Sequence, residues 1–199
     1  MKTEIHSSQC PGIYAAAARQ LRGGELVVLP TETVYGIAGI NGSDKVKEKI
    51  FALKGRPENK PLQILIHSPA DIRVFDPVIS PAADALMQRY WPGPLTLVLE
   101  CGRGRTLGFR CPDHAVTQGI LREVGVPLAA TSANISGRPP ATEAGQAVRI
   151  FDGKVAMIIT DEDPCRGNPS TVIYAGVTKQ EILRKGEKWT EMKTLMESV

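Results

Sequence analysis

Residues 12–36, GIYAAAARQLRGGELVVLPTETVYG, decide the fold. Pro11 followed by an alanine run predicts a helix over 12–22, because alanine loses least on entering a helix and proline suits a helix start. Gly23-Gly24 stops it. The ELVVL that follows is apolar throughout but too short for a helix, and reads as a buried strand over 25–29 ending at Pro30. Directly after it come Thr31, Glu32 and Thr33. A helix, a tight stop, a buried strand and a polar loop together make the repeating unit of an α/β sheet.

The rhythm continues outward from that stretch. Ser43 is a helix cap, Val46, Ile50 and Leu53 keep helical spacing, and Gly55 terminates a helix through Lys54. LQILIH (62–67) is the next strand. Ser80-Pro81 opens a helix to Tyr90, which Pro92-Gly93-Pro94 breaks. Strands over 95–100 and 106–110, a helix over 115–124, a strand over 128–131, a helix over 142–151 and a strand over 155–159 follow. Strands over 171–174 and 181–185 and a polar helix close the chain. No composition break, repeat or low-complexity linker divides it. The expectation is one α/β domain over residues 1–199, with a partly parallel sheet flanked by helices.

The chain has 199 residues, 42% hydrophobic and 23% charged, an ordinary water-soluble composition. No apolar run approaches the roughly 18 residues of a membrane helix, and MKTEIHSSQCPG at the N-terminus has no apolar core of a secretory signal. The four cysteines, Cys10, Cys101, Cys111 and Cys165, are widely spread without a C-x-x-C pair. That spacing argues for reduced thiols in a cytoplasmic protein with no membrane partner. Lys and Arg total 24 against 21 Asp and Glu. Residues 44–60 hold six of the basic and three of the acidic side chains, which leaves 18 of each sign elsewhere. The whole excess of positive charge sits in one segment, which suits an anionic ligand or a solvated helix face.

Familiar catalytic signatures are absent. The sequence contains no P-loop and no G-x-S-x-G elbow. The glycines of GRGRTLG (102–108) miss the dinucleotide spacing, and no helix is predicted after them. His6, His67 and His114 lack metal-ligand spacing, and His67, at a strand end, reads as a structural histidine. Three polar segments remain. PTETVYG (30–36) places hydroxyls and a carboxylate where α/β sheets bind ligands, or else forms a turn through local bonds. KGRPENKPL (54–62) sets Lys54, Arg56 and Lys60 in an exposed loop stiffened by two prolines, a frame suited to a polyphosphate. TSANISG (131–137) offers hydroxyls and an amide as a cradle for an anion or sugar, or else caps a helix.

These segments, in this order, resemble the hallmarks of the Sua5/YciO/YrdC family: P-T-[ED]-T-x-Y-G, K-x-R-[PS]-x-x-[KN]-P-L and S-A-N-x-S-G. LGFRCPDH (107–114), PSTVI (169–173) and ILRKG (182–186) match further family positions, so the resemblance runs from Leu26 to Gly186. Without the C-terminal domain of full-length Sua5 members, the chain is expected to fall in the single-domain branch. Leu65 stands where Sua5-type members place His, and Pro140 where many members have Ser.

The resemblance implies a twisted YrdC/RibB-like fold. It also implies an activity: L-threonine, bicarbonate and ATP giving L-threonylcarbamoyl-AMP and pyrophosphate, for the threonylcarbamoyl modification of adenosine 37 in tRNA. On that basis Lys54, Arg56 and Lys60 hold the triphosphate and stabilise the transition state. Arg56 and Lys60, with Thr106, Ser132, Asn134 and Arg184, form the ATP site. Arg110 takes the threonine carboxylate, and Thr33 and Ser170 take its other polar groups. Mg2+ is expected with ATP, with no protein ligand to a metal identified. Implied partners are tRNA or double-stranded RNA on the basic surface and downstream tRNA threonylcarbamoyltransferase proteins. Two alternatives stand beside this: a YciO-type module that holds double-stranded RNA or tRNA without chemistry, and carbamoyl transfer to another acceptor.

Overall fold

The computed structural model describes residues 2–55 and 61–199. In chain order the elements are β1 (Glu4–Ser7), α1 (Ile13–Arg22), β2 (Val27–Leu29), β3 (Gly36–Ile40), α2 (Asp44–Lys54), β4 (Gln63–Leu65), α3 (Pro81–Tyr90), β5 (Leu95–Cys101), β6 (Arg105–Arg110), α4 (Ala115–Val124), β7 (Leu128–Ser132), α5 (Ala144–Phe151), β8 (Met157–Thr160), β9 (Thr171–Ala175), β10 (Gln180–Arg184) and α6 (Trp189–Glu197). The helix signals read from the sequence act as anticipated. Ser43 Oγ accepts the Val46 amide at 3.3 Å and Gly55 closes α2 in the left-handed conformation, φ 59°. Ser80 Oγ accepts the Ala83 amide at 3.1 Å ahead of α3. None of the helices among the described residues is long and apolar enough to cross a membrane.

Among the described residues ten strands join one sheet in the order β1-β8-β2-β3-β7-β4-β6-β5-β9-β10. It is mixed: β1–β8, β2–β8, β4–β6 and β5–β9 are parallel and the other pairs antiparallel. Two strands were not anticipated. β1 is a polar, half-exposed edge whose strand state comes from pairing with β8, not from its own propensity. β3, GIAGI, lies between β2 and β7, and its glycines mask the strand signal in the sequence. They are needed there: a Cβ on Gly39 would stand 2.5 Å from Val46 Cγ1 of α2. Other boundaries move by one or two residues, as at β4, which spans Gln63–Leu65 rather than 62–67.

Side chains alternate across the sheet, and this places the core. On one face Leu26, Val28, Ile37 and Ile158 pack under α2 and α5, while Ile64, Leu97, Phe109 and Ile173 pack under α3 and α6. On the other face Val27, Leu29, Ala38 and Met157 pack under α1 and α4. That second layer covers only the half of the sheet built from β2, β3, β7 and β8. Over β4, β6, β5 and β9 the same face is left open as a cleft. Gly39→Ala is expected to lower stability by about 1–3 kcal/mol through overpacking against Val46, seen as a drop in Tm with the far-UV circular dichroism spectrum unchanged.

Candidate functional site

The open half-face is a cleft of about 550 Å³. Strand parity sets its floor: Gln63 and Leu65 of β4, Gly108 and Arg110 of β6, Thr96 and Val98 of β5, and Val172 of β9 all point into it. Gly108 adds no side chain between β4 and β5. Over that position Thr96 Oγ1 donates to Gln63 Oε1 at 3.1 Å. Thr96 Oγ1 also lies 2.9 Å from Ser170 Oγ. Arg184 then donates from Nε and Nη2 to Ser170 O, at 3.0 and 2.8 Å, and from Nη2 to Ser170 Oγ at 3.0 Å. A polar chain thus crosses the cleft from β4 to β10. Gly186 supports it from behind, because a Cβ there would fall 2.2 Å from Pro169 O.

At the other end lies Arg110, 3% exposed, on the last position of β6. Its Nη2 donates to Thr33 Oγ1 at 2.7 Å and stands 2.9 Å from Glu32 Oε1 in an ion pair whose partner is equally buried. The two carboxylate oxygens and Arg110 Nε have no hydrogen-bond partner among the described residues. The loop that delivers Glu32 and Thr33 is closed by its neighbour. Thr31 Oγ1 donates to Val34 O at 2.6 Å and accepts from the Thr33 and Val34 amides. The turn reading of this segment holds at Thr31, while Glu32 and Thr33 face the arginine. The far side of the loop is covered by 165–167, where the Arg166 and Gly167 amides donate to Glu32 O and Thr33 O.

The TSANISG segment does not cap a helix; α5 starts only at Ala144. It is a turn held by Lys54, and the exposed setting anticipated for that lysine is corrected. Lys54 is 2% exposed, at the end of α2. Its Nζ donates to Ser132 O at 2.5 Å, and to Asn134 O and Asn134 Oδ1 at 2.8 Å each. Asn134 Oδ1 also accepts from Ser132 Oγ at 2.7 Å, and its Nδ2 donates to Arg138 O at 2.6 Å. An ammonium at the carbonyl end of a helix that meets three more oxygens is a strong tie between α2 and β7.

Of the residues expected to act, Thr106, Arg110, Ser132, Ser170 and Arg184 line one cleft. Thr33 sits behind Arg110, and Asn134 and Lys54 behind Ser132. Arg56 and Lys60 lie outside the described residues, although the chain re-enters at Pro61 on the cleft wall. Leu65 and Pro140 both line the cleft. Glu32, Gln63 and Thr96 were not among the expected site residues. His67 is structural as read, its Nδ1 2.6 Å from Gln118 Oε1. GRGRTLG is the β5–β6 connection and the start of β6. Burial pushes the Cys111 and Cys165 thiols up to about 11 and the Tyr35 hydroxyl up to about 12. His114 is held below the ordinary histidine range, chiefly by burial, against the pull of Asp161. None of these groups is a ready nucleophile. Among the described residues, no three His, Cys, Asp or Glu side chains gather as a metal site.

A mixed sheet with one half-face open, carrying a buried arginine at one end and a hydroxyl–arginine chain at the other, defines an α/β protein with a polar cleft on its sheet. The family model Sua5/YciO/YrdC, described as telomere recombination, matches residues 19–186. The chain is 40% identical over 198 residues to a threonylcarbamoyl-AMP synthase of Bacillus subtilis, covering 92% of this chain and 56% of that protein. It is 32% identical over 172 residues to a threonylcarbamoyl-AMP synthase of Thiobacillus denitrificans, covering 82% of this chain and 89% of that one. The crystal structure of Pyrococcus abyssi Sua5 complexed with L-threonine superposes with a TM-score of 0.88 at 33% identity, over 98% of this chain and 61% of that one. The chain thus spans little more than half the length of the Bacillus relative. It belongs to the Sua5/YciO/YrdC family.

Removal of the buried ammonium in Lys54→Met is expected to cost about 2–4 kcal/mol, since several carbonyl acceptors lose a charged donor at once. The check is a denaturant titration; a midpoint equal to that of the wild type would contradict the tie described here.

Proposed function

We propose that this chain joins L-threonine, bicarbonate and ATP into L-threonylcarbamoyl-AMP with release of pyrophosphate, a nucleotidyl transfer in the cytoplasm. The observation that carries this is the placing of Arg110. A buried guanidinium faces the cleft, and its Nη2 is already committed to Thr33 and Glu32. With Nη2 taken and Nε buried away from the cleft, Nη1 is left to donate to a carboxylate oxygen in a charge-assisted hydrogen bond. Membership of a family with threonylcarbamoyl-AMP synthases among its members supports the same choice.

The reaction needs no protein nucleophile. The threonine ammonium gives up one proton, bicarbonate takes up a proton and loses water to leave CO2, and the freed amine attacks that carbon. An N–C bond forms as one C–O π bond opens onto oxygen, and the nitrogen loses a second proton to give a carbamate. A carbamate oxygen then attacks the α-phosphorus of ATP, an O–P bond forms, the α–β bridging bond breaks and pyrophosphate leaves. Positioning and charge neutralisation do the work in such a displacement. In this reading Arg110 and Thr33 fix the amino acid, with Ser170 beside it. Thr106, Ser132 and Arg184 face the nucleotide, Arg56 and Lys60 neutralise the triphosphate, and Lys54 and Asn134 hold the turn that presents Ser132. Mg2+ enters as the counter-ion of ATP, and no step is routed through a metal held by the protein.

The product would pass to downstream proteins that load tRNA. A module that only holds RNA has no use for a buried Arg110–Glu32–Thr33 set. The test is pyrophosphate release from ATP with L-threonine and bicarbonate together and with each omitted. Release is expected only with both. ATP left intact under every combination would overturn the proposal and turn attention to tRNA binding on the α2 face, where Lys45 and Lys47 are exposed.

A further inference from the structure

A site for this reaction must keep two anions apart, because ATP, its product pyrophosphate and cellular phosphate all compete for any free arginine near the amino acid. We infer that Glu32 is the residue that makes this separation: by neutralising Arg110 it reserves that end of the cleft for a zwitterionic amino acid and turns away phosphates. The inference rests on the reaction proposed above and deepens it.

Three observations support it. The Glu32 carboxylate is buried against the guanidinium at 2.9 Å, with side-chain exposures of 6% and 3%, so the two charges cancel where water screens little. The Glu32 side chain takes no part in closing the turn. Thr31 Oγ1 closes the turn, and neither Glu32 oxygen bonds to a backbone amide. Burying a carboxylate is costly, so one serving no turn and paired at 2.9 Å with an arginine is placed chiefly for that arginine, with His114 and Arg166 feeling its charge from further away. Finally, Glu32 stands outside the cleft lining, while Arg110 is part of it. An incoming ligand meets the donor edge of the arginine with the negative charge immediately behind. A ligand with no net charge keeps the hydrogen bonds and meets no net field. A phosphate carrying two or more charges gains the same bonds but is repelled by Glu32, which is specificity by a repulsive element. At the other end Arg184 is steered by the carbonyl and hydroxyl of Ser170 instead.

The test measures L-threonine affinity by calorimetry on the full chain, with and without inorganic phosphate, for wild type and Glu32→Gln. In the wild type phosphate should leave threonine affinity unchanged. In Glu32→Gln it should weaken threonine binding about tenfold or more, because a unit charge within several ångströms of a dianion in a half-buried site is worth at least that factor. Pyrophosphate should likewise compete with threonine in the variant and only with ATP in the wild type. A merely structural role for Glu32 would not create a new phosphate sensitivity. If Glu32→Gln does not fold, Glu32→Asp, which draws the charge back by one methylene, should show the same change in smaller measure. Threonine binding as indifferent to phosphate in the variant as in the wild type overturns the inference alone. A wild type that does not bind threonine overturns the proposed reaction, and the inference with it.

Discussion

A guanidinium buried at the end of a central strand needs a counter-charge, and the architecture around the cleft supplies it. Arg110 ends β6, facing the open half of the sheet, while Thr33 comes from the β2–β3 turn 77 residues earlier, with Glu32 beside it. The two meet only because β3, β7, β4 and β6 are sheet neighbours in that order. If one partner is removed, the other is left charged and buried, which typically costs about 3–5 kcal/mol. The polar segments after β2 and β6 are therefore one structural unit as well as one site.

The second constraint is coverage. The layer formed by α1 and α4 extends over half of one sheet face, and the rest stays open over strands whose side chains there include the small or polar Gln63, Thr96 and Gly108. The opposite face at the same strands is apolar and fully packed under α3 and α6. Lys54 ties the remaining wall of the cleft to α2, so helix, turn and strand end form one rim. Rigid support of this kind is what the proposed reaction, governed by positioning, requires.

Much of this was legible in the sequence. The helices, their caps and most strands followed from local chemistry, and the described parts of the three polar segments lie around one cleft. What was not legible depends on long-range pairing. β1 is a strand only because β8 offers it an edge, and the glycines of β3 serve contacts with α2 that no local pattern reveals. Lys54 read as part of a charged loop because its partners lie 78 and 80 residues away. Gln63 and Thr96 stand in apolar strands at positions that gain meaning only once the uncovered face is known. Glu32 was visible as a carboxylate in a turn, but its partner was not. The role expected of Arg110 came from family resemblance, and the local sequence around it gave no sign of its buried ion pair.

The most direct test of the central claim is a crystal structure of this chain soaked with L-threonine. The account predicts the threonine carboxylate on the cleft-facing edge of the Arg110 guanidinium, with Arg110 still paired to Glu32 and bonded to Thr33. Threonine bound elsewhere in the cleft, or bound with Arg110 swung away from Glu32, would contradict it.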